Sequence, residues 1–169
     1  MGLTLRERYA DSIGEMMKHS TASAKIDETK VYEEANMVTR QYMNALLDEN
    51  LSDDSCLVNV ENFKAFYEDV AKNGKSGLIL MEHYTNLDLP EIIYLLEKID
   101  EPWAKDFASR IVAVAGMKLN EESPAVRTFT EGFSRVVIYP TRSLEAVEGK
   151  QISKEEKQEE IEFGLKTYI

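Results

Sequence analysis

The sequence predicts a mixed α/β protein: amphipathic helices first, then a mixed or parallel sheet flanked by helices. Three observations lead there. Apolar residues recur at helical spacing through the first third of the chain. Short continuous apolar runs, bounded by Gly or Pro, then occupy residues 77–81, 111–115 and 136–139. Helix-start signals lie between those runs, and alternation of strand with helix implies a sheet with helices packed on it. The expected organisation is a helical region over 1–75 and the first part of an α/β domain over 76–169. With 169 residues and 43% apolar content there is enough chain for one domain with a core.

Thr4 and Glu7 form a capping box, and Leu5, Tyr9, Ile13 and Met17 repeat every four residues behind it. A second helix is expected from Asp27 to about Glu49, with Val31, Ala35, Val38, Tyr42 and Leu46 as its stripe. A third follows Asn59 with Val60, Phe63, Tyr67 and Val70 on one face, and Asn73-Gly74 ends it. The run at 77–81 reads as a buried strand. A helix over 91–99 follows it, with Pro90 in the first turn. Residues 103–109 read as a short helix and 111–115 as a second buried strand closed by Gly116. Ser123-Pro124 opens another helix, 136–139 is a third strand, and Ser153 with Glu156 opens the last helix.

Lys and Arg total 20 against 31 Asp and Glu, a net charge of −11. Non-specific nucleic-acid binding is excluded, because phosphate backbones select basic surfaces. The single cysteine, Cys56, cannot build an internal disulfide framework and fits a reducing, cytoplasmic setting. No apolar run approaches membrane-spanning length, and no strongly basic amphipathic helix stands out, so membrane contact is expected to be peripheral at most. A Gly-rich phosphate loop and a Cys/His zinc cluster are both missing from the sequence, and no metal is expected. Glu155, Glu156, Glu159 and Glu160 interleave with Lys154 and Lys157 and read as a solvated helix face.

The chain has two histidines. His19 sits at a helix end beside Lys18 and reads as a solvated residue. His83 follows the carboxyl end of the first expected strand, where open α/β sheets bind ligands. Asp88 lies five residues on, at the expected N-cap of the next helix. An imidazole that takes a proton from an alcohol needs a fixed tautomer, and a carboxylate on its other nitrogen supplies one. The plain alternative is that Asp88 only caps a helix and His83 only ends a strand.

The stretch from Leu80 through His83 and Asp88 to Pro90 resembles the first motif block of the glycerolphosphate and lysophosphatidate acyltransferase superfamily. That block is a His, four residues and an Asp, after a strand and commonly before a proline. Within the superfamily the chain looks most like the soluble, chloroplast-type glycerol-3-phosphate acyltransferases, whose helical N-terminal domain precedes the α/β domain. Val114, Ala115, Gly116 and Lys118 are similar to their next block. Phe129, Gly132 and Tyr139, followed by Arg142 and Ser143, are similar to the segment after it. Residues 139–143 also resemble a later Phe-Pro-Glu-Gly-Thr-Arg-Ser block with two residues missing, and under either alignment Arg142 faces phosphate. Ser143 stands where the family has a histidine.

The resemblance implies glycerolphospholipid biosynthesis by acyl transfer to the sn-1 hydroxyl of glycerol 3-phosphate. His83 would be the general base and Asp88 its orienting carboxylate. Arg142, Ser143 and Lys118 would bind the substrate phosphate. The acyl donor would be a thioester of acyl carrier protein or coenzyme A as co-substrate, with no resident cofactor. Lys72, Lys75, Lys105 and Arg110 are the candidates for a basic patch toward an acidic carrier protein. Against the family pattern the chain is one block short, so an incomplete acyltransferase fold with an exposed sheet edge, prone to homodimerisation, is expected. The alternative function is a catalytically inactive relative or a helical-α/β protein-interaction module.

Overall fold

The computed structural model describes residues 4–22, 31–116 and 123–138. The elements run α1 (Leu5–Arg8), α2 (Ala10–Lys18), β1 (Tyr32–Glu33), α3 (Met37–Asn50), α4 (Val60–Ala71), α5 (Asp88–Lys98), α6 (Pro102–Arg110), β2 (Ala113–Gly116), α7 (Pro124–Glu131) and β3 (Arg135–Ile138). The architecture is mixed α/β. The chain divides into two compact units. One is built from the described residues of Met1–Tyr42 and Val112–Ile169, the other from Met43–Ile111. The helix expected to open at Ser153 lies outside the described residues.

In the first unit the capping box forms as expected. Thr4 N and Oγ1 each donate to Glu7 Oε2 at 2.8 Å, and Glu7 N donates to Thr4 Oγ1 at 3.3 Å. The helix then breaks at Tyr9, whose φ of −107° and ψ of 19° leave the helical region, and α2 starts afresh. That break resets the phase of the stripe: Tyr9 and Met16 are buried, whereas Met17 is exposed.

The helix expected from Asp27 is corrected at its start. Residues 31–36 are not helical, and Tyr32 and Glu33 form β1. Helix α3 begins at Met37 because Asn36 caps it, its Oδ1 accepting from Val38 N at 3.0 Å and Thr39 N at 3.3 Å. With Val31 and Ala35 outside the helix, the expected phase fails. The buried residues of α3 are Thr39, Arg40, Met43 and Leu47, and Val38 is exposed.

The sheet has the order β1-β3-β2. β1 pairs antiparallel with β3 (Tyr32 opposite Val136, Glu33 opposite Arg135), and β2 pairs parallel with β3 (Val114 opposite Val136). β2 and β3 are joined through α7, so this is a βαβ unit with an antiparallel strand added on the far side. Ser123 caps α7 by accepting from Val126 N at 3.2 Å, with Pro124 next, as the sequence predicts. The central strand β3 alternates, with Arg135 and Val137 buried. β2 was expected to be fully buried and is not: Val112 and Val114 are exposed, Val114 at 59%. It pairs on one side only among the described residues, and an edge strand covers fewer of its side chains.

In the second unit α4 follows Asn59, which holds a left-handed φ of 54°, and the chain closes after it at Gly74 with φ 66°. Phe63, Phe66 and Tyr67 of α4 meet Phe107 of α6 at ring-centroid distances of 6.4, 5.8 and 6.0 Å, and Tyr67 also meets Trp103 at 6.0 Å. Pro90, Ile93, Tyr94 and Leu96 of α5 and Ala104, Phe107 and Ala108 of α6 are buried. The aromatic residues of α4 thus pack as a half-buried cluster against α6.

Residues 77–81 correct the sequence reading most sharply. They were expected to form a buried strand, yet they carry no strand pairing among the described residues and are exposed, Leu78 at 74% and Leu80 at 85%. A strand is stable through a ladder partner, and an apolar run does not specify one. Gly77 sits against α4: a Cβ there would fall 2.2 Å from the Phe66 ring.

Candidate functional site

His83 and Asp88 lie on the loop that enters α5 and on the first residue of that helix. Thr85, Asn86 and Leu87 turn the chain, and Asp88 N donates weakly to Thr85 O at 3.4 Å. The turn carries the Asp88 side chain back over residues 83–85. His83 Nδ1 is 2.9 Å from Asp88 Oδ2. Tyr84 N donates to the same oxygen at 2.7 Å. Thr85 N reaches both carboxylate oxygens, at 3.1 and 3.0 Å, and Thr85 Oγ1 donates to Oδ1 at 3.1 Å.

This arrangement corrects the expected cap. Leu87 occupies the N-cap position with no side-chain cap bond, and Asp88 is the first helical residue. Its carboxylate faces the loop preceding the helix rather than the helix's own amides. The negative charge still sits where the α5 dipole favours it.

The electrostatics follow from these bonds. The Thr85 amide holds the Asp88 carboxyl below its ordinary range; burial opposes this, and the His83 ring, the Thr85 hydroxyl and the Tyr84 amide reinforce it. An ionised carboxylate only accepts hydrogen bonds, so His83 Nδ1 must carry the proton. Nε2 is then the basic nitrogen. The imidazole side chain is 71% exposed and the carboxylate 15%. Tyr84 hydrogen-bonds Glu82, and that bond raises its phenol above the usual range. A base oriented by a shielded carboxylate and open to solvent can take a proton from an approaching hydroxyl.

The other expected site residues, Lys118, Arg142 and Ser143, lie outside the described residues. Val114, Ala115 and Gly116 form β2, Phe129 lies on α7, and Gly132 follows α7; all belong to the first unit, whereas His83 and Asp88 belong to the second. Tyr139 lies outside the described residues. The expected crevice at His83 is not the cleft found in the second unit, which has a volume of about 210 Å³ and is lined by Asp48, Leu51, Ser52, Tyr94 and Lys98 among others. There Tyr94 and Lys98 both donate to Asp48, Lys98 at 2.8 Å.

The basic-patch candidates are largely neutralised. Lys72 pairs with Glu68 at 2.8 Å, Lys75 with Asp69 at 2.8 Å, and Arg110 with Asp106 at 2.7 Å. Cys56 is free and exposed, and His19 ends α2 with its carbonyl accepting from Asn36. No three His, Cys, Asp or Glu side chains among the described residues are grouped to hold a metal ion. No described helix is long and apolar enough to cross a membrane.

Sequence reading did not single out Thr85. The Thr-x-x-Asp spacing was the available signal, since a Thr three residues before an Asp at a helix start is placed for reciprocal side-chain and amide bonds. No family model, no curated protein and no solved structure matches this chain.

Proposed function

We propose that this chain is an O-acyltransferase of the glycerol-3-phosphate type. His83 Nε2 takes the proton of the sn-1 hydroxyl while the hydroxyl oxygen bonds to the thioester carbonyl carbon. The C–S bond breaks, the acyl group becomes an ester, and the thiolate leaves. Asp88 holds Nδ1–H and stabilises the imidazolium formed in the step. The observation that carries this reading is the His83 Nδ1–Asp88 Oδ2 contact of 2.9 Å beneath an open imidazole. Lys118 and Arg142, with Ser143, are proposed to bind the phosphate.

Radiolabelled glycerol 3-phosphate, offered with acyl-coenzyme A or acyl carrier protein thioesters, tests it. Loss of the general base is expected to slow transfer by roughly 10²–10⁴-fold in His83→Ala. Equal rates in the wild type and this variant would sink the base role. A second reading, a protein-interaction module, is favoured by the exposed Leu78 and Leu80 beside the loop. It predicts no transfer from either donor.

A further inference from the structure

We propose that Thr85 is the positioning residue of the His83–Asp88 pair: its hydroxyl, bridging the Leu87 amide and the Asp88 carboxylate, restrains the rotation of that carboxylate against the imidazole. Its catalytic consequence rests on the acyl-transfer reading; its structural consequence does not.

The hydroxyl has two assigned bonds. Thr85 Oγ1 accepts from Leu87 N at 3.0 Å and lies 3.1 Å from Asp88 Oδ1. The Leu87 amide can only donate, so it uses a lone pair of Oγ1. The hydroxyl hydrogen is thereby free to point at Oδ1, which can only accept. Oδ1 is pinned, and Oδ2 is left for Tyr84 N and His83 Nδ1. Without the hydroxyl, Oδ1 keeps only the Thr85 amide, which spans both oxygens almost evenly at 3.1 and 3.0 Å, while Tyr84 N stays on Oδ2 at 2.7 Å. A carboxylate that has lost one of its restraints presents Nδ1 with a less fixed acceptor. The exposed imidazole is then held less firmly by the partner that keeps its proton on Nδ1.

Nitrogen-15 NMR of the imidazole reads this directly. A His19→Gln background leaves His83 as the sole histidine of the full chain. With the ring neutral, the parent protein is expected to show Nδ1 protonated and Nε2 bare. Thr85→Val, which keeps the branched shape and removes the hydroxyl, is expected to show mixed tautomers, and Thr85→Ser to restore the parent pattern. An unchanged tautomer in Thr85→Val overturns the proposal, as does failure of Thr85→Ser to restore it. If Thr85→Val does not fold, as judged by its backbone amide spectrum, Thr85→Ala decides on the same criterion.

Where acyl transfer is measurable, Thr85→Val is expected to lower kcat roughly ten-fold with KM unchanged. A tautomer change without any acyl transfer in the parent protein would uphold the positioning role and reject the acyltransferase reading.

Discussion

Asp88 and Glu131 are carboxylates kept ionised by hydrogen bonds, one at the candidate site and one in the first unit. Glu131 is almost fully buried, which pushes its carboxyl up. Ser20 Oγ, Thr21 N and Oγ1, and Asn36 Nδ2 all donate to it at 2.7–3.1 Å and outweigh burial, so the net shift is downward. A depressed carboxylate stabilises the fold above its unfolded pKa, and that contribution vanishes as pH falls through the folded value. Glu131→Ala is therefore expected to cost about 1–3 kcal/mol near neutral pH, because the donors lose their acceptor. The gap to wild type should narrow as pH falls below about 4. Urea unfolding of both proteins across that range checks it, and a gap that widens on acidification contradicts the assignment. The His83–Asp88 spacing was legible because five residues and a turn suffice to close it. The Glu131 network was not: Ser20 and Thr21 stand about a hundred residues away, and no local pattern joins them.

At the scale of elements, local signals worked where they were self-contained. Thr4 with Glu7 and Ser123 with Pro124 each place a helix start using neighbours alone. Asn36 shows the opposite case. It caps α3, its side-chain amide donates to His19 O at 3.0 Å and Glu131 Oε1 at 3.1 Å, and its backbone N–H donates to Glu131 O at 2.8 Å. Those partners come from α2 and α7, and they start α3 later than periodicity suggested. The turn after α7 comes equally close to α3: a Cβ on Gly132 would meet Arg40 Cα at 3.2 Å and Arg40 N at 3.3 Å. These are backbone atoms and cannot swing aside. Gly132→Ala is expected to destabilise the protein by about 1–3 kcal/mol, measured by the thermal unfolding midpoint; an unchanged midpoint would show that the two segments separate freely.

For the molecule as a whole, surface chemistry and long-range pairing decide behaviour. The net charge of −11 favours solubility, while Leu78 and Leu80 stand exposed on a segment without a strand partner among the described residues. Leu80→Glu should shift unfolding by less than about 0.5 kcal/mol and reduce self-association in concentration-dependent light scattering. A larger loss of stability would mean that Leu80 is packed in solution. The sequence by itself determined the mixed α/β class and several helix starts and offered the His83–Asp88 pairing as one of two readings, because these rest on helical period, capping chemistry and contacts within one turn. Only the tertiary structure decided that residues 32–33 are a strand, that β3 is central, that residues 77–81 lie open, and that Asn36 reaches Glu131. Strand partners and cap acceptors come from distant parts of the chain, and hydrophobicity says that a segment wants burial without saying against what.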